Sequence, residues 1–197
     1  MEKQQEVKVQ TKEWANPTAA GLVALAVACF CFFALLNGFV EKSAMPLVGC
    51  WLIGGFAVQV IVGLVDLKEG KHTGGNTFLY FSAFFMLVSG IEMLIKHKYG
   101  AALDARIDGY AWAALTLVTW LWTPAFFKKF GLLSIIIALL DIALPFVAIA
   151  DFGVTFGTTL RHIAAWPFLF AGLVGIYASA AQIVNTAYGK KVFPDFD

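Results

Sequence analysis

The chain has 197 residues, 60% of them hydrophobic and 14% charged, with a formal net charge of +1 at pH 7. Soluble domains carry about 25% charged residues, so this balance excludes a water-soluble globule. The net charge says nothing useful about partners, and with no Lys/Arg block in the chain no nucleic-acid partner is expected.

Residues 1–14, "MEKQQEVKVQTKEW", are polar and mixed in charge and read as an N-terminal segment, mobile or lying at an interface. Six apolar blocks follow, at about 18–38, 46–66, 77–96, 109–127, 131–150 and 161–187. Each is near the roughly 20 residues that a helix needs to cross about 30 Å of hydrocarbon. The expected fold is therefore an all-α membrane protein, with a six-helix transmembrane domain over 15–188 and a short C-terminal tail at 189–197. The first block is longer than a signal-peptide core and no clear cleavage site follows it, so it is expected to stay as a helix. With both termini cytoplasmic, nine Lys residues fall inside (Lys3, Lys8, Lys12, Lys68, Lys71, Lys128, Lys129, Lys190, Lys191) and five basic residues outside, which favours that orientation.

The opening block begins with a good start signal: Asn16 suits an N-cap, and Pro17 suits the first turn. Small residues then recur at Ala20, Ala24 and Ala28, and again at Ala171, Gly175 and Ser179 in the last block. Helices in lipid gain most from such close backbone approach, although a small-residue stripe can also line a narrow path. Cys29 and Cys31 point about 200° apart on one helix and cannot share a metal; with Cys50 they read as packing residues, and no metal or cofactor site is expected. His72, His97 and His162 fall at span ends.

Pro124, Pro145 and Pro167 remove backbone donors within the later blocks and free the carbonyls of Trp120, Asp141 and Ile163. Glu92 and Lys96 are spaced for an i,i+4 pair near a helix end. Asp141 stands mid-span, where a carboxylate costs at least about 2.5 kcal/mol, so it must find a partner, carry a proton or face the bundle interior. Asp66 and Asp151 sit at span ends, where water is closer. No nucleotide-binding, zinc-protease or serine-hydrolase motif is found, and no enzyme is expected.

Four segments in order resemble the acetate uptake transporters, also called succinate/acetate permeases, over roughly residues 15–194. "NPTAAGL" resembles the family's NPAPLGL signature at the head of the first helix. "GGFAVQVIVGLVDLKEG", "GGNTFLYFSAFF" and "IAAWPFLFAGLVGIYASAAQIVNTAYGKKVFP" are similar to its helix-two, helix-three and C-terminal segments. The resemblance implies a six-helix protomer in a homohexamer within the cell membrane. It also implies proton-coupled movement of acetate and related small carboxylates through a path in each protomer.

The hydrophobic constriction of that path falls on Leu25, Phe81 and Leu140. Phe81 stands where the family has Tyr, and Leu25 where it has an aromatic ring. Asn16, Pro17, Gly21, Leu22, Gln59 and Asn185 match family positions, while Asn76 and Thr77 replace a Thr-Ala pair; all eight are candidate substrate contacts. Free amides at the Asn16-Pro17 and Asn76-Thr77 helix starts would suit a carboxylate. Asp141, beside the constriction Leu, is the candidate for proton coupling. The alternatives are a passive anion channel for acetate and a channel for a small neutral solute such as urea.

Overall fold

The computed structural model describes residues 14–194, so most of the polar N-terminal segment and the last three residues lie outside the described part. Six long helices account for nearly all of it: α1 (Thr18–Leu36), α2 (Met45–Lys68), α3 (His72–Tyr99), α4 (Arg106–Phe127), α5 (Leu132–Asp151) and α6 (Gly157–Tyr188). No strand occurs among the described residues. Five of the six are long and apolar enough to cross a membrane. The exception is α4. Its 22 residues span about 33 Å at 1.5 Å per residue, but Tyr110, Trp112, Trp120 and Trp122 and three threonines lower its hydropathy.

Short connections force the helices to alternate up and down, and neighbours in the chain become neighbours in space. α1 packs on α2, α2 on α3, α4 on α5, α5 on α6, and α6 returns to α1. The remaining gap, between α3 and α4, is bridged by aromatic groups. Tyr80 Oη donates to Leu115 O at 2.8 Å, and Phe85 lies edge-on to Trp112 with ring centroids 5.0 Å apart. The result is a closed ring of six helices in chain order, with both chain ends at one end of the bundle.

The helix boundaries differ from the apolar blocks most clearly at α3. "HTGGN" reads as a linker, yet the helix starts at His72 and runs through both glycines. Packing explains it. A Cβ on Gly75 would come within 2.7 Å of the Leu67 side chain and 2.8 Å of its backbone nitrogen, so this pair lets α3 lie close against α2. The same device recurs at the other end of the two helices, where a Cβ on Gly49 would meet Gly90 O at 2.7 Å.

Pro124, Pro145 and Pro167 lie inside their helices rather than end them, and the small-residue stripes serve packing. Gly175 faces Leu22 O and Ala26 of α1, Gly172 faces Cys29 and Phe30, and Ala28 and Ala171 are buried, whereas Ala20 is exposed. Within α3, Phe81–Val88 is π-helical, a rare local winding often found at functional positions. Phe81, Ser82, Phe85 and Met86 are all buried in it.

Gly49→Val should push α2 and α3 apart, since the added carbons meet backbone rather than a yielding side chain. We expect a loss of about 1–3 kcal/mol, read as a lower thermal midpoint of the detergent-solubilised protein. The same substitution at Gly54, which has open space around it, should have much less effect.

Candidate functional site

The axis of the ring is filled at mid-depth. Leu25, Phe81 and Leu140 are all buried, Leu140 completely, in one apolar cluster with Phe32, Phe85, Leu144 and Phe168. Phe85 is its hub: its ring centroid lies 4.9 Å from Phe81, 6.0 Å from Phe32 and 6.1 Å from Phe168. The three expected constriction residues are thus brought into the same core. Phe85, one helical turn beyond Phe81, was not anticipated, although the i,i+4 spacing in "FSAFF" would have pointed to it.

On either side of this plug lies a cavity. Toward the end without chain termini, a vestibule of about 370 Å³ has Phe32, Phe85, Trp112 and Phe168 at its floor and Lys42, Glu92, Lys96, Asp151 and Arg161 on its wall. The expected Glu92 and Lys96 pair forms at 3.0 Å, and Lys96 also pairs with Asp108, which ties α3 to α4. Arg161 pairs with Asp151 at 2.8 Å. Asp108 and Arg161 as vestibule partners were legible only once the loops had brought the helix ends together.

Toward the end with the chain termini, a cavity of about 30 Å³ is lined by Leu22, Leu25, Gln59, Gly74, Thr77 and Phe81, with further Phe, Leu and Ile side chains. That is room for one or two waters. Gln59 is fully buried, and its Nε2 donates to Gly21 O at 3.2 Å, while its Oε1 has no partner. Gly21 is required beside it, since a Cβ there would come 2.5 Å from the Phe78 ring. Thr77 Oγ1 donates to Thr73 O at 2.8 Å.

The other candidate contacts are placed differently. Asn16 Oδ1 accepts from Thr18 N at 3.1 Å and Thr18 Oγ1 at 2.6 Å, so it caps α1 internally, with Pro17 at the helix boundary. Thr18 Oγ1 in turn lies 3.5 Å from Asp66 Oδ2. Asp66 is not solvated as a span-end position suggests: only 2% of it is exposed, and Lys71 pairs with it at 3.4 Å.

Asn76 and Thr77 lie past the first four residues of α3, whose amides alone are free at a helix start, so they present no such amide. Asn76 faces an outer groove with Leu121 and Trp122 instead of the cavity. Asn185 clasps the C-terminal tail, accepting from Val192 N and Phe193 N at 2.8 and 2.9 Å.

Asp141 lies between α4 and α5, outside both main cavities. Thr123 Oγ1 contacts Asp141 Oδ2 at 2.5 Å, and Oδ1 is buried without a partner. The carbonyl freed by Pro145 is taken up by Trp120, whose Nε1 donates to Asp141 O at 3.0 Å. Thr116, Thr119 and Thr123 share one face of α4 at i, i+3 and i+7, the sequence signal that could have named the aspartate's partners. A third cavity of about 10 Å³, lined by Thr77, Tyr80, Phe81 and Thr119, lies between this cluster and the inner cavity.

A model of the GPR1/FUN34/yaaH family matches residues 2–195. The chain belongs to that family. Among its relatives, the succinate-acetate/proton symporter SatP of Escherichia coli K12 is 24% identical over 183 residues, covering 91% of this chain and 94% of that protein. The ammonia transport outward protein 2 of Saccharomyces cerevisiae is 28% identical over 177 residues, covering 82% of this chain and 62% of that protein. A solved structure titled as the bacterial acetate channel SatP superposes with a TM-score of 0.80 at 21% identity, covering 92% of this chain and 98% of that one.

The all-α fold read from the apolar blocks is thus shared with a membrane channel, and the chain is a multi-pass membrane protein. These family members are named as transporters or a channel, and none as an enzyme. No cluster of metal-ligating residues occurs among the described residues.

Trp120→Phe keeps the ring but removes the indole N–H, leaving the Asp141 carbonyl without its donor. The bond lies on the outer, hydrocarbon-facing surface, where no water can replace the donor. An acceptor left unsatisfied there costs about 1–3 kcal/mol, so this variant should melt earlier in detergent than Trp122→Phe, whose indole has no such partner here.

Proposed function

We propose that this family member moves acetate and related small carboxylates across the cell membrane, through a path within each protomer. The observation that carries this reading is a pair of cavities toward opposite ends of the bundle, one reaching Phe85 and the other Leu25 and Phe81, with these three residues and Leu140 packed in one buried apolar cluster. Acetate has a charged end and a methyl end. Lys96 and Arg161 on the vestibule wall are paired with carboxylates, which leaves Lys42 to attract the first, and the aromatic floor accepts the second.

At the plug the balance changes. A bare carboxylate entering an apolar neck loses its water with nothing to replace it, at a cost of many kcal/mol, whereas the neutral acid loses much less. Only the protonated form crosses, so each carboxylate takes a proton with it.

Asp141 is the candidate to relay that proton. An acid at membrane depth is a functional candidate by default. Thr123 Oγ1 lies within hydrogen-bond distance of both Thr119 O, at 2.9 Å, and Asp141 Oδ2, yet has a single proton to donate. The cluster therefore has a place for one further proton, one small cavity away from Phe81.

The described basic residues Lys68, Lys71, Lys128, Lys129, Lys190 and Lys191 gather at the end with the chain termini, which supports a cytoplasmic location for that end. The family resemblance implies a homohexamer, and the belt of exposed Leu, Ile, Phe and Trp side chains is consistent with it, offering apolar surface for neighbouring protomers and for lipid.

Purified protein in liposomes should take up labelled acetate above the protein-free background, faster at low external pH. Uptake that follows voltage and ignores the proton gradient would mean an anion channel. Asp141→Asn should flatten the pH dependence; an unchanged profile would remove Asp141 from the mechanism and leave passage of the neutral acid to account for it alone.

Phe81→Ala should open the neck to water, raising uptake several-fold while weakening its dependence on pH. A slower, equally pH-dependent variant would show that Phe81 contacts substrate rather than closing the path.

A further inference from the structure

The inner cavity has an unusual polarity for a carboxylate carrier. Of the side chains that line it, Gln59 and Thr77 are the polar ones. Gln59 is held with its Nε2 on Gly21 O, and this contact fixes which way the amide points: turned over, it would set two acceptors against each other. The atom left over is Oε1, fully buried and without a partner. Thr77 has already given its hydroxyl proton to Thr73 O, so its oxygen can only accept. Behind Gly74, Asp66 Oδ2 lies 3.2 Å from where a Cβ on that glycine would sit, a further acceptor close to the wall.

The titratable groups on the surrounding helices do not reverse this. Lys71 is committed to Asp66, Tyr80 donates to Leu115 O, and Asp141 is engaged by Thr123 on the far side of Phe81; none of them lines the cavity. α1 brings only the Leu22 and Leu25 side chains to it.

We infer that the inner cavity recognises its substrate as a hydrogen-bond donor, with Gln59 Oε1 accepting the O–H of an uncharged carboxylic acid. The assignment rests on the carboxylate reading above and deepens it. An orphaned, buried amide oxygen is satisfied by a ligand that brings a proton and repels one that brings only lone pairs. The acetate anion has acceptors alone, whereas acetic acid has one donor. Gln59 thus rejects the anion on the inner side of the plug, and Gly21 is a positioning residue whose carbonyl turns the amide the right way.

Three molecules of nearly the same size and shape separate these terms. Acetic acid carries an O–H, acetamide carries N–H donors at every pH, and acetone carries a carbonyl and no donor. The intact protein in liposomes is given labelled acetate at low external pH, with acetamide or acetone as competitor at equal concentration.

The expected result is that acetamide inhibits strongly and acetone does not. In Gln59→Leu, acetate uptake should fall about fivefold, the worth of one net hydrogen bond, and the difference between the two competitors should vanish. Equal inhibition by acetamide and acetone in the unsubstituted protein would overturn the inference, as would a Gln59→Leu protein that still tells them apart. If that variant fails to fold, the competition in the unsubstituted protein decides the matter. A complete lack of acetate uptake at any pH would instead overturn the transport reading itself, so the two failures are distinguishable.

Discussion

A ring of six helices leaves an axis, and a membrane protein must either fill that axis or wet it. Here the core is filled at mid-depth by Leu25, Phe81, Phe85 and Leu140, with a vestibule toward one end and a small cavity toward the other. Most other features follow from keeping this plug in register. Gly49 and Gly90, and Gly75 against Leu67, draw α2 and α3 together so that the π-helical stretch of α3 can carry Phe81 and Phe85 inward. Gly172 and Gly175 do the same for α6 against α1 and bring Phe168 under Phe85. Hydrophobic burial gives little preference among helix faces when lipid is as apolar as the core, so these close backbone approaches decide which faces meet.

Polar groups are then sorted by what can satisfy them. The carbonyl that Pro145 leaves free has no water to turn to, and Trp120 reaches across from α4 to supply a donor. Asp141 finds Thr123 in the same seam. Lys96 ties Glu92 to Asp108, and Arg161 holds Asp151, so the vestibule wall holds its charges in pairs, with Lys42 the basic residue there that has no ion-pair partner among the described residues.

Much of this plan could be read from the residues, for physical reasons that also set its limits. Apolar blocks of membrane-spanning length reveal helices because the bilayer fixes their length, and the six blocks correspond to the six helices. Leu25, Phe81 and Leu140 could be placed together by resemblance, since matched segments bring matched positions into one core. Pairing across helices was hidden. Asp66 looked solvated because sequence gives its depth along a helix, and nothing in the chain showed that Thr18 and Lys71 would enclose it. The "GGN" stretch looked like a turn because glycine marks both turns and tight helix contacts, and only the position of Leu67 separates the two.

The largest change concerns the sign of the recognition. Helix starts at Asn16 and Asn76 would have offered donors to an anion, yet Asn16 is occupied by Thr18, and Asn76 lies a full turn inside α3, facing outward. What remains beside the inner cavity is the amide oxygen of Gln59, left without a partner while Gly21 O takes the nitrogen. On the proposed reading, the two ends of the path select different forms of one molecule. The vestibule draws the anion with Lys42, and the cavity beyond the plug accepts only what arrives with a proton. A path built this way needs no buried cation to couple its substrate to protons, because the apolar plug and one oriented glutamine already make the charged form the wrong one to carry.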